Sequence, residues 1–170
     1  MKTKHLLLFT ITSVFICACS AQTKISQSIE LPKEWKFHKG DNPQFSQPNF
    51  DDTKWEKLSV NGFWEPQGLT NYDGFGWYRT KVVIPSYLKS NTEIIKAVRI
   101  TLGKVDDTDD SYFNGQKIGS MVGWDFERSY LLPYNLVNWD KENSIAVRVT
   151  DFGGGGGMHS GPHTVTRIKL

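Results

Sequence analysis

Cysteine is almost absent from this sequence, because Cys17 and Cys19 are its two cysteines and none follows them. A disulfide framework is therefore excluded, and packing alone must hold the fold together. An excess of one charge is also missing: 20 Lys and Arg stand against 18 Asp and Glu, with no basic run. This balance argues against nucleic acid as a partner and against an electrostatic attachment to an anionic membrane surface.

Long hydrophobic runs are lacking as well. Residues 6–19 form an apolar run of 14 residues after a basic start, whereas a membrane-spanning helix needs roughly 20. Such a run is typical of an export signal. Its end, Ile16-Cys17-Ala18-Cys19, resembles a bacterial lipobox. We therefore predict a lipoprotein signal peptide at 1–18, lipid attachment at Cys19 and a polar tether at 19–28; the alternative is cleavage after Ala21 without a lipid.

These features predict an exported lipoprotein of the periplasm or outer membrane, attached to the membrane through its lipid alone. Loss of residues 1–18 removes Lys2 and Lys4, so the mature chain carries equal numbers of basic and acidic side chains. Residues 29–170 are then a single domain, since this length buries one sizeable core. A neutral partner fits this balance better than a charged one.

Short apolar and β-branched runs separated by Gly, Pro, Asn and Asp dominate the rest of the chain and indicate an all-β domain. Nine strands are predicted, at 35–38, 57–60, 76–84, 96–102, 110–114, 116–121, 129–132, 144–150 and 164–170. Asn114-Gly115 predicts a two-residue type I′ hairpin. Short helical turns are expected at the start of 50–58 and at 133–136. The fold class is a two-sheet antiparallel β-sandwich, or jelly roll.

Four aspartates crowd residues 106–110, just before this hairpin. An EF-hand loop does not fit, because the sixth position from Asp107 is Tyr112 and the twelfth is Ile118. Three interpretations stay open: a calcium site using Asp107 and Asp110, paired catalytic carboxylates, and a loop shaped by Asx turns. The Asn-Gly turn favours the last for most of these residues.

Several stretches together resemble a known domain: "WKFHKGD", "FDDTKWEKLSV", "DGFGWYRTKVVIP", "LGKVDDTDDSYFNGQKIGS" and "NSIAVRVTDFGGGGG". In this order they are similar to the sugar-binding jelly-roll domain of glycoside hydrolase family 2 enzymes such as β-galactosidases. "VDDTDDSYFNGQKIG" and "IAVRVTDFGGGGGM" are closest to the version carried by bacterial sialate O-acetylesterases. The resemblance implies a galactose-binding-domain-like β-sandwich.

The resemblance also bears on activity, because the hydrolytic residues of both families lie in other domains. A chain of this length has no room for them, so we expect it to bind carbohydrate without cutting it. The alternative is an accessory domain that packs against a separately encoded glycoside hydrolase or esterase. No cofactor is required, with calcium as the one open possibility.

Sugars are held by an exposed aromatic face and a few fixed polar groups. Three stretches, 61–77, 119–130 and 148–163, combine aromatic or polar side chains with loop residues. The predicted sugar contacts are Trp64, Tyr72, Trp124, Arg128 and Asp151. For Trp64, packing in the core and contact with a sugar are equally supported interpretations. Asp151 is the preferred polar contact, because the resemblance implies that the matching aspartate of β-galactosidases reaches the sugar bound in the neighbouring active site.

Two further patterns have mainly structural interpretations. His159, Ser160 and His163 suggest a serine hydrolase, but no acid is placed to orient a histidine and the spacing matches no nucleophile elbow. Arg79 and Arg148 lie within strands, and we expect them to pair with Asp51, Asp52 or the aspartates at 106–110. The run of five glycines at 153–157 is either a floppy loop or a place where backbone is closely approached.

Overall fold

The computed structural model describes residues 27–89 and 94–168. Within them the chain forms ten strands, and every strand pair is antiparallel. The strands are β1 (Ser28–Glu30), β2 (Glu34–Lys39), β3 (Glu56–Ser59), β4 (Gly74–Val83), β5 (Ala97–Asp106), β6 (Thr108–Phe113), β7 (Gln116–Val122), β8 (Glu127–Pro133), β9 (Glu142–Asp151) and β10 (Gly157–Arg167).

The strands assemble into two layers. One sheet has the order β1-β10-β5-β8 and the other the order β3-β2-β4-β9-β6-β7. This arrangement confirms the predicted antiparallel β-sandwich, and each of the nine predicted strands is present. The sequence pattern missed β1, a three-residue edge strand in which Ile29 pairs with Val165.

Alternation along the strands builds the core between the sheets. Val98, Ile100 and Leu102 of β5 are fully buried, as are Val147 and Val149 of β9. Successive strand residues point to opposite faces, so this spacing places one set of side chains in the shared interior. The alternation read from "KAVRITL" is therefore confirmed.

Two local turns were predicted correctly. Asn114 and Gly115 have φ angles of 49° and 81°, and Phe113 pairs with Gln116 across them. Positive φ at both central residues is the requirement of a type I′ hairpin. The short helical turn predicted at 133–136 is also present, as a 3-10 turn at Tyr134–Leu136.

The outer face of the six-stranded sheet carries a second, smaller aromatic cluster. Phe45 and Trp55 pack edge-on to each other with ring centroids 4.8 Å apart, and Phe45 contacts Trp77 at 5.9 Å. The loop at 41–55 supplies Phe45 and Trp55, so this loop is pinned to the sheet. Trp77 belongs to the packing, as its strand position indicated.

Ion pairs fasten the same loop. Arg79 is 2.7 Å from Asp52, which matches the predicted pairing. Arg148 pairs with Asp110 at 3.4 Å, within the predicted group at 106–110, and also holds Asp41 through two hydrogen bonds of 2.7 and 2.8 Å. Asp41 was not anticipated, because it lies 107 residues away from Arg148 in sequence.

The helical turn predicted at the start of 50–58 is wrong. Residues 53–54 form a simple turn, in which Asp51 accepts hydrogen bonds from the Thr53 amide at 3.1 Å and from the Thr53 hydroxyl at 2.7 Å. A carboxylate that bonds the backbone two residues ahead closes an Asx turn instead of capping a helix. A 3-10 turn lies further upstream, at Pro43–Ser46.

The predicted signal peptide at 1–18, Cys19 and most of the tether at 19–28 lie outside the described residues. Across residues 27–89 and 94–168, no helix is long and apolar enough to cross a membrane.

Candidate functional site

A glycine-rich segment bridges the two sheets at one end of the sandwich. We call residues 152–156 the glycine loop; it leads from β9 of the larger sheet into β10 of the smaller one. Three carboxylates accept hydrogen bonds from its amides: Asp107 from Phe152 at 2.9 Å, Asp151 from Gly153 at 2.9 Å and Glu65 from Gly156 at 3.1 Å. Acidic side chains from three separate parts of the chain therefore converge on this loop.

Close packing explains why the loop is built of glycine. A β-carbon at Gly156 would lie 2.0 Å from the indole of Trp64, and one at Gly155 would lie 2.9 Å from the ring of Phe63. Neither position leaves room for a side chain. The glycine loop is thus laid directly on two aromatic rings, which is the close backbone approach that the sequence suggested.

The carboxyl groups at this end have raised pKa values, because they are buried close to one another. Burial, reinforced by the hydrogen bond and the negative charge of Asp107, raises the pKa of Asp106 to about 7. Burial also raises the pKa of Asp151, and the negative charges of Asp73, Asp107 and Glu65 add to the effect. Asp151 is only 2% exposed, and its Oδ2 atom has no hydrogen-bond partner among the described residues.

An aromatic row runs beside the glycine loop. Phe63 stacks on His159 with centroids 4.6 Å apart and an interplanar angle of 9°. His159 in turn lies 6.4 Å from the ring of Trp124 and donates a hydrogen bond from Nε2 to its carbonyl at 2.9 Å. Trp124 is 56% exposed, so the row ends in an accessible indole.

Two further aromatic side chains are exposed on adjoining segments. Phe126 is 62% exposed and Phe152 is 75% exposed. Asp107 links their segments, because its carbonyl accepts a hydrogen bond from Gly123 at 2.8 Å while its carboxylate holds the amide of Phe152. The turn at 123–126 and the glycine loop are therefore neighbours, and we call Trp124, Phe126 and Phe152 the aromatic rim.

The structure brings together two of the five predicted sugar contacts. Trp124 is exposed in the aromatic rim, and Asp151 lies at the base of the glycine loop. Trp64 is fully buried in the main core, which is the packing alternative. It cannot serve as an open platform in this arrangement, because Gly156 covers its ring.

Tyr72 is half-buried and has local partners. Its hydroxyl donates a hydrogen bond to the carbonyl of Phe75 at 2.7 Å and accepts one from the amide of Gly40 at 3.1 Å. Its ring packs edge-on to Trp64, 5.3 Å between centroids. These contacts give Tyr72 a structural role beneath the site.

Arg128 was predicted to face a ligand, but the structure buries it completely. Its Nε atom lies 2.9 Å from Asp109, and both side chains are 0% exposed. Its remaining nitrogens donate to the carbonyls of Gly123 and Phe126 at 2.6 Å and of Asp107 at 3.1 Å. No local pattern indicates this burial, because Arg128 lies next to exposed loop residues while its partner Asp109 comes from another strand.

The calcium site suggested by Asp107 and Asp110 is not assembled. Asp107 binds the glycine loop, whereas Asp110 pairs with Lys117 at 2.6 Å and with Arg148 at 3.4 Å. Burial alone would raise the pKa of the Asp110 carboxyl, but its hydrogen bonds and the two cations lower it below the ordinary value. Within the part of the chain that the structure describes, no three His, Cys, Asp or Glu residues are grouped to hold a metal ion.

The serine and histidines do not form a hydrolase triad. Ser160 lies 3.0 Å from Nδ1 of His159, but the other nitrogen of His159 donates to the Trp124 carbonyl, where a triad needs a carboxylate. His163 is buried, and burial lowers its pKa to about 4. It is therefore neutral over the physiological pH range.

Sequence reasoning did not predict Phe63, Glu65, Phe126 and Phe152 as members of the site, and it missed the contacts that His159 makes with Phe63 and Trp124. Glu65 contacts Gly156 across 91 residues of sequence. No local pattern marks such a contact, although the abundance of aromatic residues at 61–77 pointed to the right segment.

The comparisons with known proteins agree with this architecture. No family model matches the chain. A β-galactosidase of Bacteroides ovatus, BoGH2A, is 29% identical over 147 residues, which cover 78% of this chain and 16% of the enzyme. The likeness to glycoside hydrolase family 2 is confirmed. This chain spans about one sixth of that relative's length.

Solved structures show the same fold. β-Glucuronidase 2 of Bacteroides uniformis superposes with a TM-score of 0.69 at 23% identity, over 82% of this chain and 18% of that enzyme. A glycosyl hydrolase family 2 member from Bacteroides cellulosilyticus gives 0.68 at 20% identity, over 83% and 20%. The β-sandwich of this chain is therefore a fold that family 2 enzymes contain. The closer likeness to sialate O-acetylesterases stays a prediction, because these three similar proteins are all glycosidases.

Proposed function

We propose that this protein is a non-catalytic carbohydrate-binding domain, and that its ligand lies on the aromatic rim next to the glycine loop. The observation that carries the proposal is the placement of the accessible indole of Trp124 beside three carboxylates that converge on one loop. An aromatic face takes the apolar C–H surface of a sugar ring, while carboxylate oxygens accept hydrogen bonds from its hydroxyls.

The partial match to glycosidases supports a binding role without chemistry. The chain covers 16% of the β-galactosidase BoGH2A, so most of that enzyme has no counterpart here. Hydrolysis of a glycoside requires two carboxyl groups that flank the bond. The carboxylates of Asp107, Asp151 and Glu65 are instead bonded to the backbone of the glycine loop.

Titration calorimetry against a panel of mono- and oligosaccharides tests the proposal. Trp124→Ala should weaken binding about tenfold or more, because it removes the accessible ring. Tyr87→Ala is the matched control: Tyr87 is also an exposed aromatic, but it lies in a different turn, at Ser86–Leu88. Equal binding by both variants and the parent protein would remove the aromatic rim as the site.

A second role, as an accessory domain, is favoured by the size of the apolar surface. Phe126, Phe152 and Val122 are all more than half exposed, and together with Trp124 they present more apolar surface than one sugar ring covers. Such a surface suits docking onto a separately encoded glycoside hydrolase or esterase domain. Val122→Ser should weaken co-purification with that enzyme, because Val122 is exposed but lies outside the aromatic rim, while sugar binding through Trp124 persists.

The predicted lipid anchor belongs to the same proposal. Attachment at Cys19 would hold the domain at the periplasmic or outer membrane, where it meets its carbohydrate. Mass spectrometry of the mature protein checks this, since lipidation adds acyl chains to an N-terminal cysteine. Cys19→Ala should release the protein into the soluble fraction, whereas Cys17→Ala should leave it attached.

A further inference from the structure

We propose that the carboxylates around the glycine loop make this site select uncharged sugars and reject sugars that carry a carboxylate of their own, the uronic acids. The inference rests on the proposed carbohydrate-binding function and adds the class of ligand. It starts from the local charge, because an anionic ligand on the aromatic rim would approach several fixed negative groups.

Five acidic side chains lie around the loop on several elements, and Asp106, with a pKa of about 7, is ionised only in part at neutral pH. Glu65 follows Trp64, Asp73 precedes β4, Asp106 ends β5, and Asp107 lies between β5 and β6; Asp151 ends β9. The amides of the loop bind three of them directly. Burial and this mutual repulsion together raise the pKa values of Asp106 and Asp151.

The neighbouring cations already have partners. Arg128 is buried against Asp109 at 2.9 Å. Lys104 is paired with Asp125. The ammonium of Lys39 lies over the ring of Tyr72, 4.8 Å from its centroid. Arg128 and Lys104 are thus paired with other carboxylates, whereas Lys39 keeps its charge, and we expect the remaining carboxylates to leave a net negative field beside the glycine loop.

Two buried oxygens strengthen the argument. Asp151 Oδ2 and Glu65 Oε2 have no hydrogen-bond partner among the described residues. Such atoms leave negative charge without a compensating donor, so the adjoining rim suits a ligand that carries no charge, such as a neutral sugar. A uronic acid brings acceptors and a charge at C6 instead, and like charges in contact are disfavoured.

The test compares sugars that differ only at C6. Methyl galactoside is measured against methyl galacturonide, and methyl glucoside against methyl glucuronide, by calorimetry at low salt. We expect the neutral member of a pair to bind about tenfold more tightly, a gap of about 1.4 kcal/mol. The gap should narrow at about 0.5 M salt, because exposed charges are screened.

Two variants that remove one negative charge each show whether the affinity gap depends on charge near the glycine loop or on the net charge of the protein. Asp73→Asn removes one carboxylate near Asp151 and should narrow the gap between neutral and acidic sugars about threefold. Glu34→Gln removes the same charge from an exposed pair between Glu34 of β2 and Lys57 of β3, and it should leave the gap unchanged. An equal effect of both variants would overturn the local argument.

The outcomes distinguish the two proposals. A uronic acid that binds as tightly as its neutral counterpart overturns the inference and leaves carbohydrate binding intact. Failure of every sugar in the panel to bind overturns the proposed function and this inference with it. A preference for the neutral sugar that narrows in Asp73→Asn, together with weaker binding of every sugar by Trp124→Ala, supports both.

Discussion

Aspartates that are near neighbours in the sequence have opposite surroundings in the fold. Asp109 is fully buried, and its two oxygens accept from Arg128 at 2.9 Å, from Ser111 at 2.6 Å and from Tyr130 at 2.8 and 3.0 Å. Asp106 and Asp107 instead meet Asp151 at the glycine loop, where negative charges repel one another. The charge of Asp109 is satisfied, and the charges at the loop are not.

The difference shows how one sequence stretch can serve stability and function separately. A buried charge that is paired and hydrogen-bonded fixes the structure around it, whereas a poorly compensated one is costly to keep. Perturbed carboxylates of this second kind cluster at functional sites. We therefore expect the Asp109 network to contribute mainly to stability and the glycine loop to the proposed binding, and four substitutions can break or sharpen this division.

The largest effect should come from breaking the satisfied network. Arg128→Met leaves Asp109 buried without its counter-charge, so the free energy of unfolding should fall by about 3–5 kcal/mol. Urea denaturation measures it. Arg99→Met is the control, because Arg99 is exposed and bonds only Ser129 among described contacts, and its loss should cost about 0.5 kcal/mol or less. Similar losses in both variants would contradict the assignment.

The next effect tests how tightly the glycine loop is seated. Gly156→Ala places a methyl group within 2.3 Å of three indole atoms of buried Trp64, so we expect a loss of about 2–3 kcal/mol. Gly62→Ala is the comparison, since its nearest neighbour would be Gln67 at an ordinary 3.5 Å. If Gly156→Ala leaves the free energy of unfolding unchanged, the glycine loop is not packed closely on Trp64.

A smaller, pH-dependent effect is expected at Asp106. Its folded-state pKa of about 7 lies above the ordinary value of 3.8, so folding holds a proton that the unfolded chain has already released. Stability is therefore lost as the pH rises from about 4 to about 7. Asp106→Asn should gain on the order of 1 kcal/mol at about pH 8, after allowance for solvent screening, and nothing at about pH 4.

Thermal denaturation at the two pH values measures this difference. Asp125→Asn serves as control, because Asp125 is exposed and paired with Lys104, and it should show no gain at the higher pH. An equal change at both pH values in Asp106→Asn would show that the charge of Asp106 is not the cause.

The smallest effect on stability should come from Asp151→Asn. An asparagine can keep the Oδ1 acceptor that binds the amide of Gly153, and it removes one of the repelling charges. The free energy of unfolding should change by about 0.5 kcal/mol or less, while calorimetry should show weaker sugar binding. Asp109→Asn offers the contrast, since it should lower the free energy of unfolding by more than Asp151→Asn does, because Asp109 is the buried partner of Arg128.

The fold was largely predictable from sequence, and the site only in part. Alternation in "KAVRITL" and the Asn114-Gly115 turn are local signals, and local physics determines both. Burial of Trp64 and Arg128 depends on Gly156 and Asp109, which lie on other elements. A single sequence does not encode such partners in any periodic pattern, so loop residues that look exposed were assigned to binding.

The seating of Gly156 on Trp64 has a practical consequence. Because the glycine loop covers this indole, any ligand that shifts the loop alters the surroundings of a buried chromophore. Tryptophan emission should then change in wavelength or intensity on binding, even in the Trp124→Ala background. The fluorescence of Trp64 therefore reports a displacement of the glycine loop without an added label.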